Sequence, residues 1–194
     1  MKRPLKEALL FLIVILLALV FVKDANAISD KYDNSFRKWS AYYLPEVPWY
    51  WLKAQAYIES GLDPNAESPV GAKGIAQFMD YTWGDMKKIL KTTKSQYNVK
   101  LSIQAQAIYM EGLRKNWTRH NRNTCQIHDL ALASYNAGLG NILEAQRESG
   151  GAILWGDINK SLPEVTGRHS KETVGYVKRF WRTVKRLTTE TIKR

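Results

Sequence analysis

The chain has 194 residues, of which 45% are hydrophobic and 24% charged, and it contains a single cysteine. This length and composition are typical of one globular domain with a packed core, and they exclude collagen-like, low-complexity and disordered classes. One cysteine and three histidines exclude an intrachain disulfide framework and a closed structural zinc site. The formal net charge of +11 favours anionic polymers or surfaces as partners.

The first 27 residues have the pattern of a bacterial export signal. Basic residues precede an apolar run at 8–22, and small residues follow up to Ala27. The run would form a helix of about 22 Å, shorter than the hydrocarbon core of about 30 Å. Residues 1–27 are therefore predicted to be a signal peptide cleaved after Ala27, with an uncleaved inner-membrane anchor at 8–22 as the alternative. In either case the rest of the chain is expected outside the cytoplasm, in the periplasm or cell envelope.

The remaining chain is predicted to be one all-α domain. Residues 28–48 are interpreted as a lead-in segment and residues 49–194 as the domain, because no internal repeat or linker-like composition occurs. Apolar residues recur at three- to four-residue intervals, and alternating β-branched runs are absent. The predicted helices span 49–60, 82–90, 102–116 with Ser102 as N-cap, 130–136, 141–148 and 170–187. Loops are predicted at 61–74, 121–126 and 150–167.

The C-terminal helix is strongly basic. From Lys171 onward the chain carries eight Lys or Arg residues against Glu172 and Glu190. A helix with one core face and one solvated face explains this pattern, and docking on an anionic membrane or wall is the alternative. No nucleic-acid partner is expected, because the chain has no phosphate-binding glycine loop, zinc-finger spacing or RNA-binding aromatic signature.

Glu59 is the first candidate for catalysis. It closes an apolar and aromatic turn of the predicted helix, directly before Gly61, which should end that helix. A carboxyl group held against apolar neighbours has a raised pKa and can act as a general acid near neutral pH. A solvated glutamate at a helix end is the alternative that position alone leaves open.

Four motifs follow one another along the chain. They are Glu-Ser at 59–60, Ser-Pro-x-Gly-Ala-x-Gly at 68–74, Tyr-Asn-Ala-Gly at 135–138 and Glu-Thr-x-x-Tyr-Val at 172–177. In this order and spacing they resemble the soluble lytic transglycosylase family, whose catalytic domain is similar to goose-type lysozyme. The resemblance covers residues 51 to about 180 and implies a helical, lysozyme-like fold with a substrate cleft.

The resemblance also implies an activity and a set of site residues. The expected activity is cleavage of peptidoglycan glycan strands between N-acetylmuramic acid and N-acetylglucosamine, without a metal or organic cofactor. Glu59 would be the catalytic acid and then the base, Ser60 would support the substrate or the acid, and Tyr176 would hydrogen-bond Glu59. Three more side chains are expected along the glycan, namely Gln77, Tyr135 and Asn136.

The number of carboxylates separates the possible reactions. Most glycosidases use two, one as acid and one as base or nucleophile. Asp63 lies between Gly61 and Pro64, where it is expected to cap a turn. A single acid fits a lyase that closes a 1,6-anhydro ring on the muramic acid. Two alternatives stay open: a hydrolytic muramidase that uses Asp63, and a wall- or membrane-binding module that has lost catalysis.

Two positions raise further questions. The family pattern Gly-Leu-Met-Gln is Gly-Ile-Ala-Gln at 74–77, so a methyl group at Ala76 replaces a long side chain and leaves the subsite shape open. Cys125 and His128 form a Cys-x-x-His pair, for which a small packed thiol is expected rather than half a metal site. Expected partners are peptidoglycan and, beyond it, an anionic membrane surface or a wall-spanning secretion, conjugation or phage apparatus. A monomer is expected.

Overall fold

The computed structural model describes residues 27–192, with side chains as far as Thr189. Its regular structure in this range is helical apart from two isolated β-bridges in the 61–79 loop, which confirms the all-α prediction. The helices are α1 (Asp33–Tyr43), α2 (Trp49–Ser60), α3 (Asp80–Leu90), α4 (Val99–Lys115), α5 (Thr124–Ala137), α6 (Leu139–Glu148), α7 (Trp155–Thr166) and α8 (Ser170–Ile192), with a 3-10 turn at Gly167–His169.

The chain divides into one unit that ends at Asp30 and a second that begins at Lys31. All eight helices belong to the second unit. In the first unit only residues 27–30 are described, and they have no regular secondary structure. The signal or anchor predicted at 1–27 thus lies almost entirely outside the described residues. Among the helices that are described, none is both long enough and apolar enough to cross a membrane.

Two helices are absent from the prediction. Helix α1 lies inside the segment interpreted as a lead-in, where it packs against α2 and α4. Its pattern is weak because the residues it buries are only Phe36 and Ser40. Helix α7 replaces the loop predicted at 150–167, although Pro163 lies inside it. Its buried side chains recur at helical spacing, so tertiary packing outweighs the proline.

Two predicted helix starts are also wrong, and the caps show why. Helix α4 begins after Asn98, whose side chain accepts a hydrogen bond from the Leu101 N–H, whereas Ser102 is buried within the helix. Helix α5 begins six residues before its predicted start, after a capping box in which Asn123 and Gln126 bond to each other's backbone N–H groups. Such side-chain caps satisfy the exposed N–H groups of a helix start.

Helix α2 runs through the core of the second unit. Its residues 51–56 are buried, and it packs against α1 and α8. Gly61 ends the helix in the left-handed conformation at φ 67°, which glycine adopts without steric cost. The chain then turns into the 61–79 loop, where Gly74 has φ 77° and a Cβ atom would lie 2.2 Å from the Gln96 carbonyl oxygen. This position therefore accepts only glycine, and the loop lies close against the segment before α4.

Candidate active site

Glu59 lies in the last turn of α2 and lines a cavity of about 350 Å³. The cavity is bounded by the 61–79 loop, the end of α5 and the start of α8. Its walls include four of the predicted site residues, Gln77, Tyr135, Asn136 and Tyr176. Side chains from three distant stretches of the chain thus meet around one carboxyl group.

The environment of Glu59 is that of a general acid. The Tyr176 hydroxyl donates a hydrogen bond of 2.5 Å to Glu59 Oε1. The pKa of Glu59 is raised from 4.5 to about 7. Burial is the largest cause, the Tyr176 hydrogen bond and the Arg179 charge partly oppose it, and the Glu172 charge adds to it. Near neutral pH a large fraction of the molecules therefore carry a proton on Glu59. This matches a catalytic acid and not a solvated glutamate at a helix end.

A network of buried hydrogen bonds positions the Tyr176 hydroxyl. Gln55 Nε2 donates to the Tyr176 hydroxyl at 3.3 Å, and Gln106 Nε2 donates to Gln55 Oε1 at 3.1 Å. Gln106 Nε2 also donates to the Leu52 carbonyl at 3.2 Å, which connects this hydrogen-bond network to the α2 backbone. Both glutamines are completely buried. Neither glutamine was among the predicted site residues. A signal was present, because Gln55 lies on the core face of the helix one turn before Glu59, and a buried polar side chain needs a hydrogen-bond partner.

Ser60 connects the end of α2 to the loop that follows. Its hydroxyl donates to the Ile75 carbonyl at 2.8 Å and approaches the Ala56 carbonyl at 3.3 Å. Both hydrogen bonds are to backbone, and Ser60 is not among the residues that line the cavity. In this structure the hydroxyl positions the loop that forms one wall of the cleft. Its predicted support of the substrate or the acid stays a prediction.

Gln77 and Tyr135 shape the cavity wall. Gln77 adopts φ 49°, and its side-chain nitrogen donates to the carbonyls of Gly74 at 2.9 Å and Ala66 at 3.2 Å. The Tyr135 hydroxyl donates to the Ala76 carbonyl at 2.7 Å. Burial and the nearby Glu59 charge raise the pKa of Tyr135 well above its ordinary value, so its hydroxyl stays neutral. The loop and α5 are thereby held at a fixed separation.

Asn136 is oriented by a residue of α8. Its side-chain oxygen accepts a hydrogen bond of 2.8 Å from the Thr173 hydroxyl. Because the side-chain oxygen already accepts this hydrogen bond, Asn136 would contact a ligand through its side-chain N–H groups, as a donor. A carbonyl such as that of an N-acetyl group is the matching acceptor. The contact itself remains a prediction.

The cavity is lined by two carboxyl groups, Glu59 and Glu172, whereas the sequence predicted one. Asp63 accepts a hydrogen bond of 2.9 Å from the Asn65 N–H in an exposed turn, which confirms its predicted capping role, and it does not line the cavity. Glu172, in the first turn of α8, does line the cavity and raises the pKa of Glu59. Glu172 belongs to the fourth motif, but no role was predicted for it.

The exposure of the side chains answers the questions raised by Ala76 and by the Cys125–His128 pair. Ala76 is completely buried and does not line the cavity, so its small side chain alters packing behind the wall. Cys125 is exposed, so the expected packed thiol is wrong: it lies in the first turn of α5 on the solvent side. His128 is buried and contacts the Arg114 guanidinium at 3.0 Å. Within residues 27–192 no group of three or more His, Cys, Asp or Glu side chains is placed to hold a metal.

The fold is that of helical lytic transglycosylases. The 70-kDa soluble lytic transglycosylase of Escherichia coli matches with a TM-score of 0.63 and 24% identity, over 80% of this chain and 24% of that chain. A complex of the 70-kDa soluble lytic transglycosylase with bulgecin A matches with a TM-score of 0.62 and 25% identity, over 79% of this chain and 23% of that chain. Both matches cover most of the present chain and a minor part of a larger enzyme.

The family model of the transglycosylase SLT domain matches residues 35–155, and the chain belongs to this family. Membrane-bound lytic murein transglycosylase F of Actinobacillus pleuropneumoniae is 31% identical over 82% of this chain and 32% of its own length. The protein of the same name from Haemophilus influenzae is 32% identical over 80% of this chain and 32% of its own length. The chain therefore spans about one third of the length of these curated relatives.

Proposed function

We propose that this chain is a peptidoglycan lytic transglycosylase. It cleaves the β-1,4 bond between N-acetylmuramic acid and N-acetylglucosamine and leaves a 1,6-anhydro end on the muramic acid. The observation that carries this proposal is the Glu59 carboxyl with its pKa near 7, bonded to Tyr176 and facing a cavity. Membership of the family and the names of the relatives support the lyase reaction over hydrolysis.

The chemistry uses Glu59 twice. Protonated Glu59 gives its proton to the glycosidic oxygen, and the bond from that oxygen to C1 of the muramic acid breaks. The N-acetyl carbonyl of the substrate stabilises the positive charge that develops at C1. The Glu59 carboxylate then removes the proton of the C6 hydroxyl as the C6 oxygen bonds to C1, so the enzyme returns to its starting state without water. The Tyr176 hydroxyl and the Arg179 charge stabilise the carboxylate between the two steps.

The two alternatives have less support. A hydrolase that uses Asp63 as its second carboxylate would need that residue in the cleft, whereas Asp63 caps an exposed turn outside the cavity. A binding module without catalysis would gain nothing from a buried acid, which costs folding free energy when it ionises. The basic C-terminal helix fits an enzyme and a binding module equally well, so it does not separate them.

We also propose that the enzyme acts in the cell envelope. The relatives are named membrane-bound murein transglycosylases, and the export pattern at 1–27 together with the net charge of +11 fits an extracytoplasmic wall substrate. We further propose that it opens the wall locally for a secretion, conjugation or phage apparatus. We propose that it works as a monomer.

Mass spectrometry of the fragments released from purified peptidoglycan tests the reaction. The full chain should release anhydro-muropeptides, and the Glu59→Gln variant should lower their formation about 1,000-fold, because general acid catalysis contributes on this order. Asp63→Asn is the matched control, since it removes a carboxylate outside the cavity and should retain activity. Hydrated reducing ends would identify a hydrolase instead, and the absence of any product would favour a binding module.

A further inference from the structure

One wall of the catalytic cavity is made by a loop and not by a helix. The 61–79 loop contributes five lining residues, namely Ser68, Val70, Ala72, Gln77 and Met79. Two hydroxyl groups anchor the middle of this loop. Ser60 donates to the Ile75 carbonyl, and Tyr135 donates to the carbonyl of the next residue. The placement of the lining side chains therefore depends on what holds the loop on either side of these anchors.

Gln77 has a strained backbone in this loop. Its φ of 49° lies in the left-handed region, which is unfavourable for a residue that carries a Cβ atom. Such a conformation persists only where the surrounding structure enforces it. The hydrogen bonds from the Gln77 side chain to the Gly74 and Ala66 carbonyls supply part of this support. The backbones of Lys73 and Phe78, which bond to each other in both directions at 3.0 Å, supply another part.

An ion pair joins the two sides of the turn that contains Gln77. Lys73 Nζ donates to Asp80 Oδ1 at 3.1 Å and to Asp80 Oδ2 at 3.0 Å, so residues 74–79 are enclosed between two paired side chains. The hydrogen bond from Lys73 lowers the pKa of the Asp80 carboxyl, and the same hydrogen bond raises the pKa of the Lys73 ammonium group. Both groups are therefore charged near neutral pH.

Asp80 also connects the loop to the segment before α4. The side chain of Gln96, which is 5% exposed, donates from Nε2 to Asp80 Oδ1 at 2.7 Å. The Tyr97 hydroxyl donates to Glu67 Oε2 at 3.0 Å, and the Gln96 carbonyl oxygen is in close contact with Gly74. One segment thus supports the loop at three points, and Asp80 is the residue that belongs both to this support and to the ion pair.

We propose that Lys73 and Asp80 are positioning residues, whose ion pair holds Gln77 in place for the bound glycan. This inference rests on the proposed function and adds residues that determine how the substrate is bound. Neither Lys73 nor Asp80 lines the cavity, so they act through the loop and not by contact with the glycan. Glu59 lies on α2 and not on the loop. Loosening the turn should therefore weaken glycan binding and leave the catalytic acid in place.

Separate measurement of KM and kcat tests the proposal on the full chain. Asp80→Ala removes the acceptor of both Lys73 and Gln96, so KM for anhydro-end formation on soluble glycan strands should rise about five-fold, as expected for a partly exposed ion pair. The value of kcat should stay within about two-fold, because the lost interaction supports binding. Asp80→Glu keeps the charge and should recover part of the loss. Asp85→Ala is the matched control, because it breaks the exposed pair with Lys88 on the same helix, outside the cavity.

Two measurements without turnover separate this inference from the proposed function. Hydrogen exchange at the Phe78 N–H, which bonds to the Lys73 carbonyl, should be about five-fold faster in Asp80→Ala than in the wild type and unchanged in Asp85→Ala. Titration of the Glu59→Gln chain with glycan strands should show weaker binding by the same factor once Asp80→Ala is added.

Three outcomes would overturn the positioning role while the anhydro products still stood. They are an unchanged KM in Asp80→Ala, an equal rise of KM in Asp85→Ala, and a fall of kcat alone. If the wild type released no anhydro products, the proposed function would fail, and the exchange and binding results would still decide whether the ion pair positions the loop.

Discussion

An ionisable group lies at each end of helix α2, and burial shifts the pKa of both groups. At its start, Trp51 packs against His128, with ring centres 4.7 Å apart. Burial and the neighbouring Arg114 charge lower the pKa of His128 well below its ordinary value. At the other end, burial raises the pKa of Glu59 to about 7. Burial disfavours the charged form in both cases, so it shifts the acid and the base in opposite directions.

Access to a cavity distinguishes the two groups. His128 is 2% exposed and closed in by Trp51 and Phe180. Glu59 is only partly buried, faces the cavity and is held by Tyr176. A perturbed pKa by itself therefore marks either a structural group or a functional one, and the opening to a ligand decides which. His128 serves packing, whereas Glu59 has both a shifted pKa and an open cavity in front of it.

The largest expected effect separates the two ends by their pH dependence. Glu59 binds its proton more tightly in the folded state, so its stabilising contribution is complete below about pH 4.5 and is lost as pH rises through about 7. The Gln side chain of Glu59→Gln cannot titrate. As pH rises between these values, the free energy of unfolding of the variant should therefore increase by about 3 kcal/mol relative to that of the wild type. Urea unfolding at a series of pH values measures the difference.

The contribution of His128 has the opposite sign and is common to both proteins. Its folded pKa is lowered, so stability falls as pH drops below about 6.5, where the unfolded histidine takes up a proton. Subtracting the two unfolding curves removes this contribution. A difference that does not change between pH 4.5 and 8 would mean that Glu59 has an ordinary pKa, and the assignment of a buried acid would be wrong.

Removal of the Arg114 side-chain charge should affect stability and not chemistry. Arg114 bonds to Glu46 Oε1 at 2.9 Å and to His128 Nδ1 at 3.0 Å, and it is buried. Arg114→Met keeps the apolar stem and should cost about 2 kcal/mol of unfolding free energy, because the buried His128 ring loses its hydrogen-bond partner. Lys115→Met, in an exposed pair with Glu111, is the control and should cost less than about 0.5 kcal/mol.

The rate per folded molecule is the measurement that decides this prediction. It should be the same in Arg114→Met and in the wild type, since the His128 end of α2 contributes no group to the cavity. A rate that falls further than the folded fraction would show that the two ends of α2 are coupled, and the distinction drawn between them would fail.

The smallest expected effects concern the hydrogen-bond chain behind Glu59. Tyr176→Phe removes the hydroxyl that lowers the pKa of Glu59, so the rate should fall about ten-fold and the alkaline limb of the pH–rate profile should move to higher pH. Gln55→Leu leaves that hydroxyl in place without its donor, and about a three-fold loss is expected. Unchanged profiles in both variants would limit these residues to packing.

The local sequence was sufficient to predict features whose residues lie within one helix or turn. The end of α2 at Ser60, the turn cap of Asp63 and the helical class all follow from residues close in sequence. Helix α7 could not be found in this way, because Pro163 and neighbouring glycines obscure a buried face that packs against α5, α6 and α8. The start of α5 was missed although its capping box is local, because apolar periodicity was weighed above cap chemistry.

The order and spacing of the four motifs predicted the family and, through that resemblance, Glu59 as the candidate acid. Tertiary structure decided what these residues touch. Tyr176 lies 117 positions from Glu59, and Gln106 lies 51 positions from Gln55, so their hydrogen bonds exist only once α2, α4 and α8 have packed. The same packing places Glu172 in the cavity. Burial and charge proximity set a pKa, and both arise from the folded chain and from no single segment of it.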